Sequence, residues 1–427
     1  MTGMPLEKSP TLASAGRIVE LADQCVQCGL CLPVCPTYQM DRNEAESPRG
    51  RIAIAAALAR GEVEPTAALR LHLDHCLGCL DCEKVCPAHV QYDELLIETR
   101  ALLGPSTRRP RWLLKLLQRP AWMRALRRLG HVLAMDRWKG WLARRLPRDS
   151  TTRAALLTLP TGAVAAPMVA ETGEARAGKP TLALFPGCVA SVEDADAQAA
   201  AVALLRAAGF QVSVLPAFCC GAMDLHGGEA QAAEKAAQRV REAWQSSGAS
   251  GLVSVTPGCL GSLRRALPGI HVADPFELLA TRADTLRFRP LARRLAVHLP
   301  CTQVNVARSE SAMLALLRQV PLLDVQPLPR PPYCCGAAGS HMLEFPARAE
   351  ELRDGTLRQV ALLEPQDLLS SNIGCRLHLA AGADGQWPTQ HPLTLLAQQL
   401  ETDHPATDSP DNPSHERSHP EPLRSPA

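Results

Sequence analysis

The sequence predicts a multidomain α+β protein, in which an α-helical, cysteine-rich amino-terminal domain precedes two duplicated α/β units with parallel sheets. Two cysteine runs of identical spacing lie 51 residues apart near the amino terminus. A second cysteine pattern recurs downstream at offsets of 113 to 116 residues. From residue 181 onward, short apolar runs alternate with segments of helical periodicity, which is typical of parallel strands connected by helices. The runs are "TLALF", "QVSVL", "GLVSVT", "RLAVHLP" and "DLLSSN".

The composition fits a globular chain with more than one core. The 427 residues are 46% hydrophobic and 21% charged, enough for two or three domains. A formal net charge of +2 argues against a nucleic-acid-binding protein. The first residues lack a basic segment followed by an apolar one, so we expect no secretory signal and a reducing, cytoplasmic location. No apolar run approaches the roughly 20 residues that span a bilayer.

The first cysteine run, "CVQCGLCLPVCP", extends from Cys25 to Pro36, and "CLGCLDCEKVCP" repeats its spacing from Cys76 to Pro87. This C-x₂-C-x₂-C-x₃-C-P spacing is the bacterial ferredoxin run, in which three thiolates bind one 4Fe-4S cluster and the fourth binds the other. A structural zinc site usually has two CxxC pairs separated by a longer loop. We therefore predict a ferredoxin-type domain with two 4Fe-4S clusters, and zinc or unliganded structural thiols are the alternatives.

The spacing rule assigns the eight cysteines to two crossed sets. The first cluster is predicted on Cys25, Cys28, Cys31 and Cys86. The second is predicted on Cys76, Cys79, Cys82 and Cys35. Between the runs, Ser47 is predicted to cap a helix with Pro48 in its first turn. Arg49 and Arg51 on this helix are either scaffold residues or residues that tune a cluster potential or meet an acidic partner.

The downstream cysteines form two further sets, each built around a Cys-Cys-Gly motif. The first set is Cys188, Cys219, Cys220 and Cys259, and the second is Cys301, Cys334, Cys335 and Cys375. Single cysteines follow predicted strands, at the sheet edge where such folds gather ligands. Gly221 and Gly336 are expected to turn the backbone sharply beside the thiols. We expect an iron–sulfur cluster in at least one unit, with zinc or reactive dithiols as alternatives.

Three histidines accompany these motifs. His226 and His341 each stand six residues after the second cysteine of a Cys-Cys-Gly motif, and His378 stands three residues after Cys375. The last pair has a recognised ligand spacing, CxxH. Each histidine is either a metal ligand or a packing and hydrogen-bonding residue, and the sequence leaves both open.

These patterns divide the chain into six segments: the ferredoxin-type domain 15–104, a basic Trp-rich helical connector 105–158, a linker 159–180, cysteine-rich units 181–290 and 291–400, and a disordered tail 401–427. The connector carries 13 Lys or Arg between Arg108 and Arg148, against Asp136 alone, and four of the six tryptophans. Its amphipathic helices are expected to lie on anionic lipid or on a partner subunit. The alternative is that they pack on this protein's own domains.

Several motifs, spread over about residues 20 to 400, resemble those of one known family. They are the two cysteine runs with "SPRGRI" between them, "CCGAMDLH", "CCGAAGSH" and "NIGCRLHL". The family is the iron–sulfur subunits of glycolate oxidase, among the cysteine-rich CCG-domain proteins related to heterodisulfide reductases. The resemblance implies the electron-transfer subunit of an oxidoreductase acting on CH–OH donors. FAD-containing partner subunits would oxidise glycolate to glyoxylate, and a quinone or another acceptor would receive the electrons, with peripheral contact at the cytoplasmic face of the inner membrane.

The chain itself shows no GxGxxG fingerprint after a predicted strand, in agreement with a flavin on partner subunits. We therefore expect no catalytic residue in this chain. Heterodisulfide-reductase relatives carry a further cysteine where this chain has Ser262 and His378, which weakens the case for a noncubane cluster. The alternative functions are an iron–sulfur subunit for lactate, glycerol 3-phosphate or a thiol–disulfide couple, and a redox-sensing or zinc scaffold protein.

Overall fold

The computed structural model describes residues 15–158 and 181–401. The predicted linker 159–180 and all but the first residue of the predicted tail 401–427 lie outside these ranges.

The amino-terminal domain is a small helical bundle around two cysteine-rich loops. Its six helices are α1 (Ala15–Ala22), α2 (Pro36–Asp41), α3 (Pro48–Ala59), α4 (Ala67–Asp74), α5 (Asp81–Lys84) and α6 (Tyr92–Leu103). Helices α1, α3 and α6 pack together through fully buried side chains such as Leu21, Ala55 and Leu95. The predicted cap at Ser47 is confirmed, because its hydroxyl accepts a hydrogen bond from the Gly50 amide and Pro48 opens α3. This bundle positions the two loops side by side.

The connector folds into four helices. They are α7 (Arg111–Leu117), α8 (Pro120–Val132), α9 (Met135–Arg145) and α10 (Thr151–Thr158). Leu113 and Leu114 of α7 and Ala154 of α10 pack on Leu343, which belongs to the second cysteine-rich unit. One face of α7 and α10 is therefore part of the protein interior, whereas much of α8 and α9 is solvent-exposed.

The first cysteine-rich unit is a four-stranded parallel sheet covered by helices. Its strands are β1 (Thr181–Leu184), β2 (Gln211–Val214), β3 (Gly251–Val253) and β4 (Val272–Ala273), in the order β2-β1-β3-β4. Its helices are α11 (Ala190–Glu193), α12 (Ala195–Ala207), α13 (Ala222–His226), α14 (Ala230–Ser247), α15 (Pro257–Ala266) and α16 (Pro275–Ala280).

The second unit repeats this topology. Its strands are β5 (Arg293–His298), β6 (Leu323–Pro327), β7 (Asp367–Ser370) and β8 (Thr389–Gln390), in the order β6-β5-β7-β8. Its helices are α17 (Glu310–Arg318), α18 (His341–Glu344), α19 (Pro346–Leu362), α20 (Ile373–Ala383) and α21 (Pro392–Gln399). All strand pairs in both sheets are parallel. The predicted fold class, a helical domain followed by two parallel-sheet units, is confirmed.

The two units share one hydrophobic core. Helix α12 of the first unit packs on α21 of the second, and α17 of the second packs on α16 of the first. The fully buried residues Leu204, Phe276, Leu295 and Leu317 belong to one continuous apolar cluster that crosses both units. The units therefore form one body, and the carboxyl ends of both sheets lie close to the amino-terminal domain.

Candidate functional site

The first predicted ligand set surrounds one small cavity. Cys25, Cys28, Cys31 and Cys86 line a space of about 30 Å³, together with Cys82 of the other set. Positive φ angles of 54° at Gln27 and 85° at Gly29 bend the loop around it. The fold thus brings Cys86 to a loop that lies more than fifty residues earlier in the chain.

The second set gathers on the buried side of the domain. Burial raises the pKa of the Cys82 thiol, and the nearby thiols of Cys76 and Cys35 raise it further. The pKa of Cys79 is also raised, first by burial and then by Asp81, Cys82 and Cys301. Cys35 therefore lies beside the loop that carries Cys76, Cys79 and Cys82, as the crossed arrangement requires. Because thiols with a raised pKa are protonated at neutral pH, iron binding must displace their protons.

A buried ion pair supports this second set. The Arg51 guanidinium donates to the Glu46 carboxylate at 2.6 Å, and it also donates to the Thr37 hydroxyl at 3.0 Å. The Thr37 hydroxyl in turn lies 3.3 Å from the Cys35 sulfur. Burial alone would raise the pKa of Glu46, but hydrogen bonds from His75 and the charge of Arg51 lower it to about 2. A fixed positive charge thus stands close to the predicted cluster ligands Cys35 and Cys76.

The four thiols of the first cysteine-rich unit gather at one cavity. Cys188 follows β1, Cys219 and Cys220 follow β2, and Cys259 lies in the first turn of α15 after β3. The neighbouring thiol of Cys219 raises the pKa of Cys188, and those of Cys219 and Cys259 raise the pKa of Cys220. Hydrogen bonds from Cys188 and Cys220 lower the pKa of Cys219, and the Gly221 amide also donates to its sulfur at 3.3 Å. Cys219 therefore ionises more readily than Cys188 and Cys220, whose pKa values are raised.

The second unit places its thiols at equivalent positions. Cys301 follows β5, Cys334 and Cys335 follow β6, and Cys375 lies on α20 after β7. Burial, together with the neighbouring thiol of Cys334, raises the pKa of Cys301 to about 12. All eight thiols of the two units, together with Cys76 of the amino-terminal domain, line a single cavity of about 280 Å³.

The predicted turns at both Cys-Cys-Gly motifs are confirmed. Gly221 and Gly336 have φ angles of +83° and +76°. A Cβ atom at Gly336 would stand 2.3 Å from the Ala349 carbonyl oxygen, and one at Gly221 would stand 2.8 Å from the Ala236 Cβ. Only glycine accommodates both this backbone conformation and this close approach to a helix.

The three histidines considered as ligands lie in different environments in the structure. His226 ends α13, its side chain is 41% exposed, and it lines the large cavity. His341 is buried beside the same cavity, and its Nδ1 lies 3.4 Å from the Gly336 carbonyl oxygen. The Nε2 atom of buried His378 lies 3.1 Å from the Ala349 carbonyl oxygen, so this histidine packs between α19 and α20. Ligation by these three histidines stays a prediction.

A fourth histidine, His298, was not predicted. It is the last residue of β5, three positions before Cys301, and its donor atom lies within 4.8 Å of those of Cys335 and Cys375. The available signal was the polar residue that ends the otherwise apolar run "LAVH" and stands where the first unit has Phe185.

Charged and polar side chains join the amino-terminal domain to both cysteine-rich units. Arg330 donates to both carboxylate oxygens of Asp81 at 2.8 Å, and Asn305 donates to the Cys79 carbonyl at 2.7 Å. The guanidinium of Arg330 also lies near the thiols of Cys301 and Cys334. A second arginine, Arg100, donates to the Cys76 carbonyl at 2.8 Å and to the His226 carbonyl at 3.0 Å. The loop of the second ligand set is therefore held against both cysteine-rich units.

The fold and these cysteine sets define an iron–sulfur protein with a dicluster domain and two cysteine-rich domains. Residues 21–90 match the 4Fe-4S dicluster domain family, and residues 182–264 and 295–380 match the family described as Cysteine-rich domain. None of the helices in residues 15–158 and 181–401 is long and apolar enough to cross a membrane.

The glycolate oxidase iron-sulfur subunit of Escherichia coli (strain K12) is 30% identical, and the alignment covers 88% of this chain and 94% of that protein. A probable glycolate oxidase iron-sulfur subunit of Bacillus subtilis (strain 168) is 26% identical over 84% of this chain and 88% of that protein. Lactate utilization protein A of Geobacillus kaustophilus (strain HTA426) is 24% identical over 46% of this chain and 89% of that protein. The chain belongs to the family of glycolate oxidase iron-sulfur subunits, and the predicted resemblance is confirmed.

Proposed function

We propose that this chain is the electron-transfer subunit of a complex that oxidises glycolate to glyoxylate. FAD-containing partner subunits perform the oxidation, and a quinone or a similar acceptor receives the electrons. The observation that carries this proposal is family membership across 88% of the chain. Two cysteine sets whose arrangement fits two 4Fe-4S clusters support it. When bound, each cluster supplies one-electron transfer, which a flavin that releases electron pairs requires of its partner.

The electron path that we propose through this chain follows from how deeply each cysteine set is buried. Cys28 is the one exposed cysteine of the sixteen, and the neighbouring side chains of Val26 and Leu30 are 69% and 57% exposed. An exposed ligand with an apolar rim suits contact with a partner protein. The second set lies deeper and is joined to the second unit through Asp81 and Arg330. We therefore place electron entry at the Cys28 loop and onward transfer at the Cys79 loop.

The identity of the electron-donating substrate is tested by an assay of the assembled complex. The chain is produced together with its neighbouring flavoproteins, captured under anaerobic conditions and supplied with glycolate or D-lactate and a dye acceptor. We expect glycolate to reduce the dye at least ten-fold faster than D-lactate. D-lactate is the relevant competitor because a relative named for lactate utilization matches 46% of this chain. Faster reduction by D-lactate would reassign the donor, and a captured protein without flavin partners would contradict the proposal.

We also propose that the connector places the complex on a membrane surface. Eight large apolar residues between positions 112 and 141 are exposed, and among them Trp112, Trp122 and Trp141 are 75%, 56% and 51% exposed. This exposure argues against the alternative in which the tryptophans pack on the protein's own domains. Exposed aromatic residues among many arginines suit the interface of an anionic bilayer.

The proposed membrane contact predicts a loss of vesicle binding when the connector charges are removed. The connector variant replaces four exposed arginines: R119Q, R128Q, R137Q and R144Q. At about 1 kcal/mol for each cation near an anionic surface, we expect affinity to fall more than 100-fold. The measurement is sedimentation of the full chain with vesicles of phosphatidylglycerol and phosphatidylcholine.

A matched variant removes the same charge elsewhere on the surface. It carries R287Q, R308Q, R318Q and R358Q, all of which lie outside the connector and are exposed. We expect this control to bind vesicles as the unaltered chain does. Equal binding by both variants would remove the membrane proposal. Normal vesicle binding combined with failure to capture flavoproteins would assign the connector to a partner subunit instead.

A further inference from the structure

The second cysteine-rich unit brings one histidine and two cysteines into mutual reach. The donor atoms of His298, Cys335 and Cys375 all lie within 4.8 Å of one another, and the three residues are buried. Within residues 15–158 and 181–401, this is the only group of three or more such donors that meets this spacing. The four thiols of the first unit and the two sets of the amino-terminal domain are more widely spread.

This spacing distinguishes a single ion from a cluster. With Zn–S bonds of about 2.3 Å and Zn–N bonds of about 2.0 Å, donors around tetrahedral zinc stand roughly 3.5 to 4 Å apart. In a 4Fe-4S cluster each thiolate binds a different iron atom, so the ligand sulfurs must stand farther apart than donors that share one ion. A compact group of one nitrogen and two sulfur atoms therefore fits a mononuclear site.

The surroundings of His298 orient its ring for ligation. Its Nδ1 lies 3.1 Å from the hydroxyl of Ser370, the residue that is paired with it on the adjacent strand β7. Metal-binding histidines commonly use one ring nitrogen for such a partner, and the other nitrogen binds the ion. In the first unit the equivalent residue is Phe185, which packs edge-to-face on Phe218 with ring centroids 5.1 Å apart. The two units thus differ at the position that would supply a nitrogen ligand.

We propose that the second unit binds one Zn²⁺ through His298, Cys335 and Cys375. Cys301 and Cys334 lie outside this 4.8 Å group but line the same cavity, so one of them would have to move towards the ion to become the fourth ligand. The nearby Arg330 guanidinium offsets the negative charge of the thiolates. Because zinc has no redox chemistry, the ion serves structure and does not carry electrons onward from the Cys79 loop. The ion ties together the end of β5, the Cys-Cys-Gly loop and α20.

The test is metal analysis of the full-length protein purified without oxygen from cells supplied with iron and trace zinc. We expect one zinc per chain in addition to iron and acid-labile sulfide. The variant H298F copies the first unit, and we expect its zinc affinity, measured by competition with a chelator, to fall at least ten-fold. Even the loss of an outer-sphere partner changes metal affinity by roughly 10- to 100-fold. The control H391Q alters a buried histidine of the same unit that is neither in the donor group nor among the predicted ligands, and it should retain zinc.

A second variant keeps the test decisive if H298F fails to fold. H298C replaces the nitrogen donor with sulfur and should retain the metal, and cobalt substituted into it should give a visible spectrum shifted from that of the cobalt-loaded parent. Zinc retained at full affinity by H298F would overturn the proposal. Iron and sulfide at this site in place of zinc would also overturn it. Loss of iron from the amino-terminal domain would instead bear on the proposed electron-transfer function.

Discussion

Replacing Cys86 with serine is expected to remove the cluster of the first loop while sparing the second. The reason is geometric, because Cys86 lies at the cavity lined by Cys25, Cys28 and Cys31, although its neighbours in sequence are predicted to bind the other cluster. Iron and sulfide should fall by one cluster, and one of two low-temperature electron paramagnetic resonance signals should disappear. We expect electron transfer from the flavoprotein partner to fall more than 100-fold.

The matched control is Cys35→Ser, since Cys35 ends the first run as Cys86 ends the second. It should abolish the signal that survives in the Cys86 variant. Cys25→Ser should reproduce the loss caused by Cys86→Ser, despite the distance between them in sequence. If Cys86→Ser and Cys79→Ser remove the same signal instead, the crossed assignment is wrong and each run holds its own cluster.

Replacing Arg51 with methionine is expected to destabilise the amino-terminal domain by about 3 to 5 kcal/mol, because it leaves a buried charge without its partner. The side chains of Arg51 and Glu46 are 1% and 4% exposed, and their ion pair spans 2.6 Å. Anaerobic guanidinium unfolding of the cluster-loaded chain measures the loss. The double variant R51M/E46M removes both charges and should recover part of the stability.

The control for this prediction is Arg60→Met, at the residue that follows the same helix. Arg60 pairs with Asp23 at 2.6 Å, but these side chains are 39% and 62% exposed. Surface pairs contribute about 0 to 1 kcal/mol, so little change is expected. If both variants lose the same stability, burial of the Arg51 pair is not the cause.

The Arg51–Glu46 pair makes the free energy of unfolding depend on pH. The folded-state pKa of Glu46 is about 2, below its ordinary value of 4.5. A lowered pKa means that the ionised form stabilises the fold, so this contribution is complete above pH 4.5 and is lost as the pH falls towards 2. The variant Glu46→Gln should therefore show a weaker loss of stability over that range than the unaltered chain. An identical pH profile would contradict the assignment.

The regular parts of this protein were predictable because their signals are local or repeated. The repeated cysteine spacing predicted that the two cysteine-rich loops of the amino-terminal domain lie side by side. The short apolar runs predicted strands β1, β2, β3, β5 and β7. Strands β4 and β8 were not predicted, because two residues are too short to show a pattern. Strand β6 was also missed, since its sequence "LDVQP" mixes polar and apolar residues without a continuous buried run.

The histidines show where sequence reasoning stops. A CxxH spacing favoured His378, but the position of that residue on α20 directs its Nε2 towards the Ala349 carbonyl on α19. His298 stands three residues before Cys301, the reverse of the CxxH order, and strand pairing and sheet-edge geometry bring it to Cys335 and Cys375. Likewise, composition could not decide whether the connector tryptophans were buried. Their burial depends on which side of each connector helix is covered by the neighbouring units.

The reciprocal packing of α12 on α21 and of α16 on α17 has an evolutionary consequence. Each pair joins a helix of one half to a helix of the other, in the manner of a self-complementary interface between identical subunits. A single ancestral half could have covered its exposed helices by pairing with a second copy of itself. Gene fusion would then have made that partnership permanent, and the two halves now differ at the strand end that carries Phe185 in one and His298 in the other.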